Sequence, residues 1–169
     1  MRTLALALLA SSLLTGCMSA KLKRLSDAER DHYYALRVFM GEDTTKAFLK
    51  LKTESERNAL LTDLGLWERF YQYDQAIRDK IVAGEVEEGW TEDRMFMAWG
   101  EPYDRRRLTG RPAARSELFV YRFEVSPDGI IRVWTPSSKT AYKAVDFYQI
   151  EAYVDDNRIA EIVRKEDWE

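Results

Sequence analysis

The sequence has a single cysteine, Cys17, and a single histidine, His32, among 169 residues. One cysteine excludes an internal disulfide and makes a cysteine-ligated metal site or a cysteine nucleophile very hard to build. A lone histidine without a serine or cysteine motif beside it is typical of a packing or surface residue. Glycine-rich phosphate loops, nucleophile elbows and paired metal-ligand spacings are all absent from the sequence. The sequence therefore predicts no cofactor, no metal and no catalytic residue.

Neither sign of charge dominates, because 26 Lys and Arg residues oppose 29 Asp and Glu residues and leave a net charge of -3. The chain lacks the global basic character of a nucleic-acid-binding protein, so we expect no nucleic-acid partner. It also lacks a long apolar run after residue 14. Its content of 46% hydrophobic and 12% aromatic residues is enough for one domain with a real core.

The one apolar run, residues 4–14, follows Arg2 and is shorter than the roughly 20 residues of a transmembrane helix. It ends in Leu14-Thr15-Gly16-Cys17, which resembles the lipobox of bacterial lipoproteins. In that class a signal peptidase cuts before the cysteine, which then carries fatty acyl chains such as palmitate. The resemblance implies a signal peptide over 1–16 and lipidation of Cys17. The alternative is an ordinary signal peptide with an incidental cysteine.

Residues 17–25 are predicted to be a lipidated tether. Met18 follows the cysteine, and by the same resemblance a non-acidic residue there favours the outer membrane over retention in the inner membrane. We therefore expect a lipid-anchored protein of the outer membrane that faces the periplasm. Lys21, Lys23 and Arg24 lie in this tether. They are either part of a solvated linker or lie beside anionic headgroups.

The rest of the chain predicts an α+β fold, with a helical N-terminal half packed on a small antiparallel sheet. Capping boxes that begin at Ser26 and Thr53 mark two helix starts in the helical segment 26–83. A longer helix is expected over 66–82 from its apolar spacing. Segment 84–169 holds one more helix and then strands, arranged as a meander of three or four with a bulge near Phe147. Both segments are expected to pack as one globular unit.

Residues 89–102 join the two halves, and they predict a short helix with Thr91 as N-cap, ended by Gly100 and Pro102. The stretch that follows, residues 103–115, contains five arginines. This arginine segment is predicted to be a loop. It is either solvated or faces anions such as phospholipid headgroups, lipopolysaccharide or an acidic protein, because guanidinium groups bind phosphate and carboxylate bidentately.

Over residues 84–163 the chain resembles the BamE-like (SmpA/OmlA) domain of outer-membrane lipoproteins. The residues that carry this resemblance are Gly89, Thr91, Met95, Gly100, Pro102, Phe119, Val120, Tyr121 and the C-terminal hairpin over 153–159. The resemblance implies two helices on a small antiparallel sheet. The best-known member of the family is an accessory lipoprotein of the machine that inserts β-barrel proteins into the outer membrane. The same architecture appears in secreted proteins like the β-lactamase inhibitors.

We therefore expect a non-enzymatic envelope assembly or scaffold component that binds a protein and perhaps anionic lipid. The alternatives are an inhibitor or ligand-binding module on the same fold, and a cell-envelope hydrolase whose carboxylates meet only in the folded chain. The two tryptophans of the joining stretch could instead be buried where the helix meets the sheet. The exposed contact region is predicted to consist of Trp90, Trp99, Pro102, Tyr103, Arg105, Arg106 and Arg107.

Overall fold

The computed structural model describes residues 20–134 and 144–166, so the proposed signal peptide (1–16) and Cys17 lie outside the described residues. The fold is α+β, as the sequence predicts. The helices are α1 (Asp27–Leu36), a 3-10 helix (Arg37–Phe39), α2 (Glu42–Phe48), α3 (Glu54–Asp63), α4 (Leu66–Tyr71), α5 (Gln75–Ala83) and α6 (Glu92–Trp99). The strands are β1 (Asp104–Leu108), β2 (Ser116–Val125), β3 (Ile131–Trp134), β4 (Asp146–Asp155) and β5 (Arg158–Lys165).

The helix starts follow the capping chemistry of the sequence. Both predicted capping boxes form, with Ser26 capping α1 and Thr53 capping α3. The prediction of one helix over 66–82 is wrong, because the chain breaks between α4 and α5. Asp74 takes an extended conformation there and its carboxylate accepts a hydrogen bond from the backbone amide of Ile77. Asp74 fits the apolar spacing expected for a single helix, but in the structure it is the N-cap of α5.

The sheet has five antiparallel strands in the order β1-β2-β4-β5, with β3 paired to the far end of β2. It is therefore not a simple meander of three or four strands. The extra strand, β1, lies in the arginine segment, so the prediction of a loop is wrong over Asp104–Leu108. The bulge expected near Phe147 instead falls in the pairing of β4 with β5, between Tyr153 and Val154. Asp156 and Asn157 form the predicted tight turn with positive φ angles of 47° and 67°.

One hydrophobic core joins the helices to one face of the sheet. Alternate residues of β2 supply its centre, and Phe119 and Tyr121 have no exposed surface. The helices contribute Leu36, Phe48 and Leu61, which are also fully buried. The two halves therefore pack as one unit.

Helix α6 is fixed at the junction by the chain that precedes it. The backbone of residues 89–92 lies along β5: the amide of Gly89 donates to the carbonyl of Ile159 (2.7 Å), and the amide of Ile159 donates to the carbonyl of Trp90 (2.8 Å). Thr91 then caps the helix, as predicted. These bonds hold the start of α6 against the sheet, beside the surface described below.

Candidate protein-binding groove

Trp90 and Trp99 are buried, with 4% and 7% of their surface exposed. The indole nitrogen of Trp99 donates to the carbonyl of Gly84 (2.8 Å), and its ring lies 5.0 Å from that of Tyr121. Neither ring is presented to a partner, so the expected contact region does not include them. Of the two interpretations of these residues, burial at the junction of helix and sheet is the correct one.

A groove of about 400 Å³ lies beside α6, between the 3-10 helix and the start of β1. Two of the predicted contact residues, Pro102 and Arg105, line it. The other lining residues were not predicted: Phe96 and Glu101 belong to the joining stretch 89–102, whereas Val38 and Phe39 come from a distant part of the chain. The α6–β1 groove is lined by Val38, Phe39, Phe96, Glu101, Pro102 and Arg105.

The groove has an apolar floor made of half-buried side chains. Phe96 is held from below, since its ring packs edge-on against that of Phe119 at 5.7 Å. Arg69 borders one side, with its guanidinium 4.1 Å from the centre of the Phe39 ring, and it also pairs with Asp93 of α6. Phe96 is therefore packed in place within the floor, and Arg69 at its border already has a partner in Asp93.

The two charged residues that line the groove differ in their partners. The guanidinium of Arg105 bonds both oxygens of Glu117 (3.0 and 2.8 Å) and lies 3.0 Å from Glu92. These contacts raise the pKa of Arg105, chiefly through the hydrogen bond to Glu117. Glu101 is exposed and makes no hydrogen bond or ion pair within the described part of the chain. The unmatched charge of the groove is thus negative.

The remaining predicted contact residues do not join the groove. Tyr103 packs on the other face of the sheet, where its ring lies 5.4 Å from that of Trp134 and beneath the guanidinium of Arg122 at 3.8 Å. Arg106 bonds Asp104 at 2.6 Å. Arg107 is exposed. The structure therefore divides the predicted region between two faces of the sheet and the core.

The other arginines of the arginine segment are also matched by carboxylates. Arg111 makes a bidentate bond to Asp155 (3.0 and 2.7 Å), and that bond lowers the pKa of the carboxyl group. Arg115 lies 2.5 Å from Glu117. The expected anion-facing surface is therefore an ion-pair network, and most of its positive charge is neutralised within the fold.

A second cavity, of about 410 Å³, lies in the helical half between α1 and α5, and His32 lines it. Nε2 of His32 lies 2.7 Å from the hydroxyl of Tyr71, and the imidazole is 4% exposed among aromatic rings. Burial lowers the pKa of His32 and raises that of neighbouring Asp31. Asp79 lines the same cavity. The histidine is thus a packing residue, one of the two roles that the sequence suggested for it.

Among the described residues, no group of His, Cys, Asp or Glu side chains is arranged to hold a metal ion. Over residues 20–134 and 144–166, the helices are too short or too polar for any of them to cross a bilayer. No protein-family model, curated protein or solved structure matches the chain. The resemblance to the BamE-like domain stays a prediction.

Proposed function

We propose that this chain is a lipid-anchored, periplasm-facing outer-membrane protein that assembles or scaffolds envelope components by binding another protein in the α6–β1 groove. The proposal gives the chain no catalytic role. The observation that carries it is the groove itself. An apolar surface rimmed by charged groups is typical of a site for one anchoring side chain of a partner. Its place in the envelope rests on the lipobox-like residues that end at Cys17.

The groove is suited to binding because it is formed before a partner arrives. Phe96 is fixed on α6, and Pro102 limits the backbone freedom of the chain that enters β1. The neighbouring Arg105 is held by Glu92 and Glu117. A preformed site loses little conformational entropy on association, so a small apolar contact can contribute measurably to affinity.

The charges of the groove specify the chemistry of the partner. Arg105 is occupied by two carboxylates, whereas Glu101 is exposed and unpaired within the described residues. We therefore expect a protein segment that places an aliphatic or aromatic side chain against Val38, Phe39 and Phe96, with a lysine or arginine beside it for Glu101. An acidic segment would be repelled by Glu101.

The membrane anchor is tested by labelling cells with a fatty-acid analogue. The wild-type chain should incorporate the label and sediment with outer membranes. A Cys17→Ser variant should not incorporate the label, because it lacks the thiol that carries the acyl chain, and its share in the outer-membrane fraction should fall. Equal labelling of both chains would refute lipidation at Cys17.

The groove is tested by replacing Glu101 with a photo-crosslinking amino acid in the anchored protein. The control places the same group at Asp63, an exposed position at the end of α3. We expect an adduct from position 101 only, and mass spectrometry should locate the crosslink beside an apolar residue flanked by a basic one. If components of the barrel-insertion machinery form the adduct, the role implied by the BamE-like resemblance is supported.

A charge reversal checks that the adduct reflects docking. Because crosslinking occupies position 101, the reporter for this test is placed at Arg37, an exposed residue that directly precedes Val38 of the groove lining. Glu101→Arg should abolish the adduct and Glu101→Gln should weaken it. If adducts from the groove and from position 63 are the same, or if charge reversal has no effect, the proposed groove is not a binding site.

A further inference from the structure

The residues nearest the proposed anchor belong to the folded body. Leu25 is 6% exposed, and Leu22 packs against the hydrophobic core. The backbone closes a turn here, with the amide of Arg24 bonded to the carbonyl of Lys21 (3.1 Å) and that of Leu25 to Leu22 (3.2 Å). Within the predicted tether over 17–25, Leu22 and Leu25 therefore pack against the folded body.

This turn displays unmatched positive charge. Lys23 and Arg24 are exposed and Lys21 is half-buried. In the ranges that the structure describes, none of the three side chains has an ion pair. The first acidic residues of α1 do not neutralise them, since Asp27 pairs with Arg30 and Glu29 bonds Arg57. Residues 21–24 are called the basic turn below.

The length of chain between the anchor and the basic turn is short. Only residues 18 and 19 separate Cys17 from the first described residue, Ala20. At about 3.5 Å per residue, the Cα atoms of Cys17 and Ala20 are at most about 11 Å apart. An acylated Cys17 would therefore keep Ala20 within about 11 Å of the headgroups, and the basic turn, which begins at the next residue, can approach them to about one Debye length, where charge attraction is only partly screened.

We propose that the basic turn is a membrane-contact surface that binds anionic phospholipid headgroups and seats the folded body directly on the bilayer. This inference rests on the proposed lipid anchor. Leu22 and Leu25 fix the turn to the core, so contact of its cations with headgroups restrains the orientation of the whole body. Attraction near an anionic surface contributes about fivefold in affinity for each lysine or arginine.

Binding to vesicles tests the surface without the anchor. The probe is residues 17–169 with the substitution Cys17→Ser. The first residue that packs against the described core is Leu22, so removing residues 1–16 leaves that core intact. The vesicles contain phosphatidylcholine, with or without phosphatidylglycerol. Binding should require the anionic lipid and weaken at high salt.

Two matched double variants locate the contact. Lys23→Gln with Arg24→Gln should weaken binding to anionic vesicles about tenfold or more. Lys50→Gln with Lys52→Gln removes the same charge from exposed positions elsewhere and should bind like the parent. Unfolding curves should be the same for all three chains. Equal binding by all three, or no binding by the parent, would overturn the inference.

Footprinting of the anchored protein supplies the second readout. Lys23 should be protected from an amine-reactive reagent on anionic vesicles and modified in detergent, while Lys50 is modified in both. Equal modification of Lys23 in the two settings would overturn the proposed seating. Neither test involves the α6–β1 groove, and the vesicle test uses a chain that cannot be acylated at Cys17. The basic turn can therefore fail while the groove and the anchor stand, and the groove can fail while the basic turn stands.

Discussion

Positive charge is concentrated in two parts of the molecule, the arginine segment and the basic turn, which differ in whether carboxylates pair with their cations. In the arginine segment, Arg105, Arg111 and Arg115 are each bonded to a carboxylate, and Arg105 contacts two. In the basic turn, Lys21, Lys23 and Arg24 have no such partner among the described residues. The number of cations in a stretch of sequence is therefore a poor guide to anion binding. Whether the cations are free to bind an anion depends on the carboxylates that the fold places beside them.

The difference has a structural origin. β1 pairs with β2, and this places Arg105 and Arg107 next to Phe119 and Glu117. The acidic start of α6 then brings Glu92 to the same arginine. The basic turn precedes the first long helix, and the acidic side chains that follow it have their own basic partners. We therefore expect the arginines to contribute mainly to stability and the basic turn mainly to surface attraction.

The largest expected effect comes from removing Arg105, which makes two hydrogen bonds to Glu117 and pairs with Glu92. Arg105→Gln should lower the free energy of unfolding by about 1–3 kcal/mol, below the 3–5 of a fully buried pair. The discount reflects exposure, since the side chain of Arg105 is 37% exposed while those of Glu92 and Glu117 are 13% exposed. Urea denaturation measures the effect, with Lys23→Gln as the control that should leave stability unchanged. If Arg105→Gln loses no more stability than Lys23→Gln does, the ion pairs of the arginine segment do not stabilise the fold.

The same ion pair should give stability a pH dependence. The hydrogen bond from Arg105 is the largest cause of the lowered pKa of Glu117, whose ordinary value is 4.5. A lowered folded-state pKa contributes stability above about pH 4.5, and that contribution is lost as the pH falls through the folded-state value. The difference in unfolding free energy between wild type and Arg105→Gln should shrink from pH 7 to pH 3. A constant difference would show that the pair is not the cause.

Removing the carboxylates that pair with the arginine segment should allow that segment to bind anions. Glu92→Gln with Glu117→Gln leaves Arg105 and Arg115 without partners, so binding to anionic vesicles should rise about threefold to fivefold. The control, Glu54→Gln with Glu68→Gln, makes the same charge change at exposed positions. An equal rise in both variants would mean that net charge alone explains the gain.

The smallest effect is expected at Arg107, which is exposed at the edge of the sheet. Arg107→Gln should change the free energy of unfolding by less than about 0.5 kcal/mol, as for most surface substitutions. Thermal denaturation beside Arg105→Gln provides the measurement. A loss as large as that of Arg105→Gln would show that the network extends further along β1.

Local signals in the sequence predicted much of the fold. Ser26, Thr53 and Thr91 begin helices as their side-chain chemistry requires, and Asp156 with Asn157 closes the last hairpin. β1 was missed because three consecutive arginines have no apolar alternation; an edge strand with exposed side chains does not need it. The break at Asp74 was missed because an N-cap can fall at a position that also fits a helical repeat.

The candidate groove was harder to predict because it depends on contacts between distant residues. Pro102 and Arg105 were identified, but Val38 and Phe39 precede them by more than sixty positions in the chain. No local pattern links the two parts. The burial of Trp90 and Trp99 follows from the same long-range packing, since the segment around them lies along β5 and against β2.

The most direct test of the contrast is the affinity of two double variants for anionic vesicles, measured in the Cys17→Ser chain. One removes Lys23 and Arg24 from the basic turn, and the other removes the carboxylate-bonded Arg111 and Arg115 from the arginine segment, each by change to glutamine. We predict a loss of about tenfold or more for the first and less than about twofold for the second. The reverse order would contradict the account and return anion binding to the arginine segment.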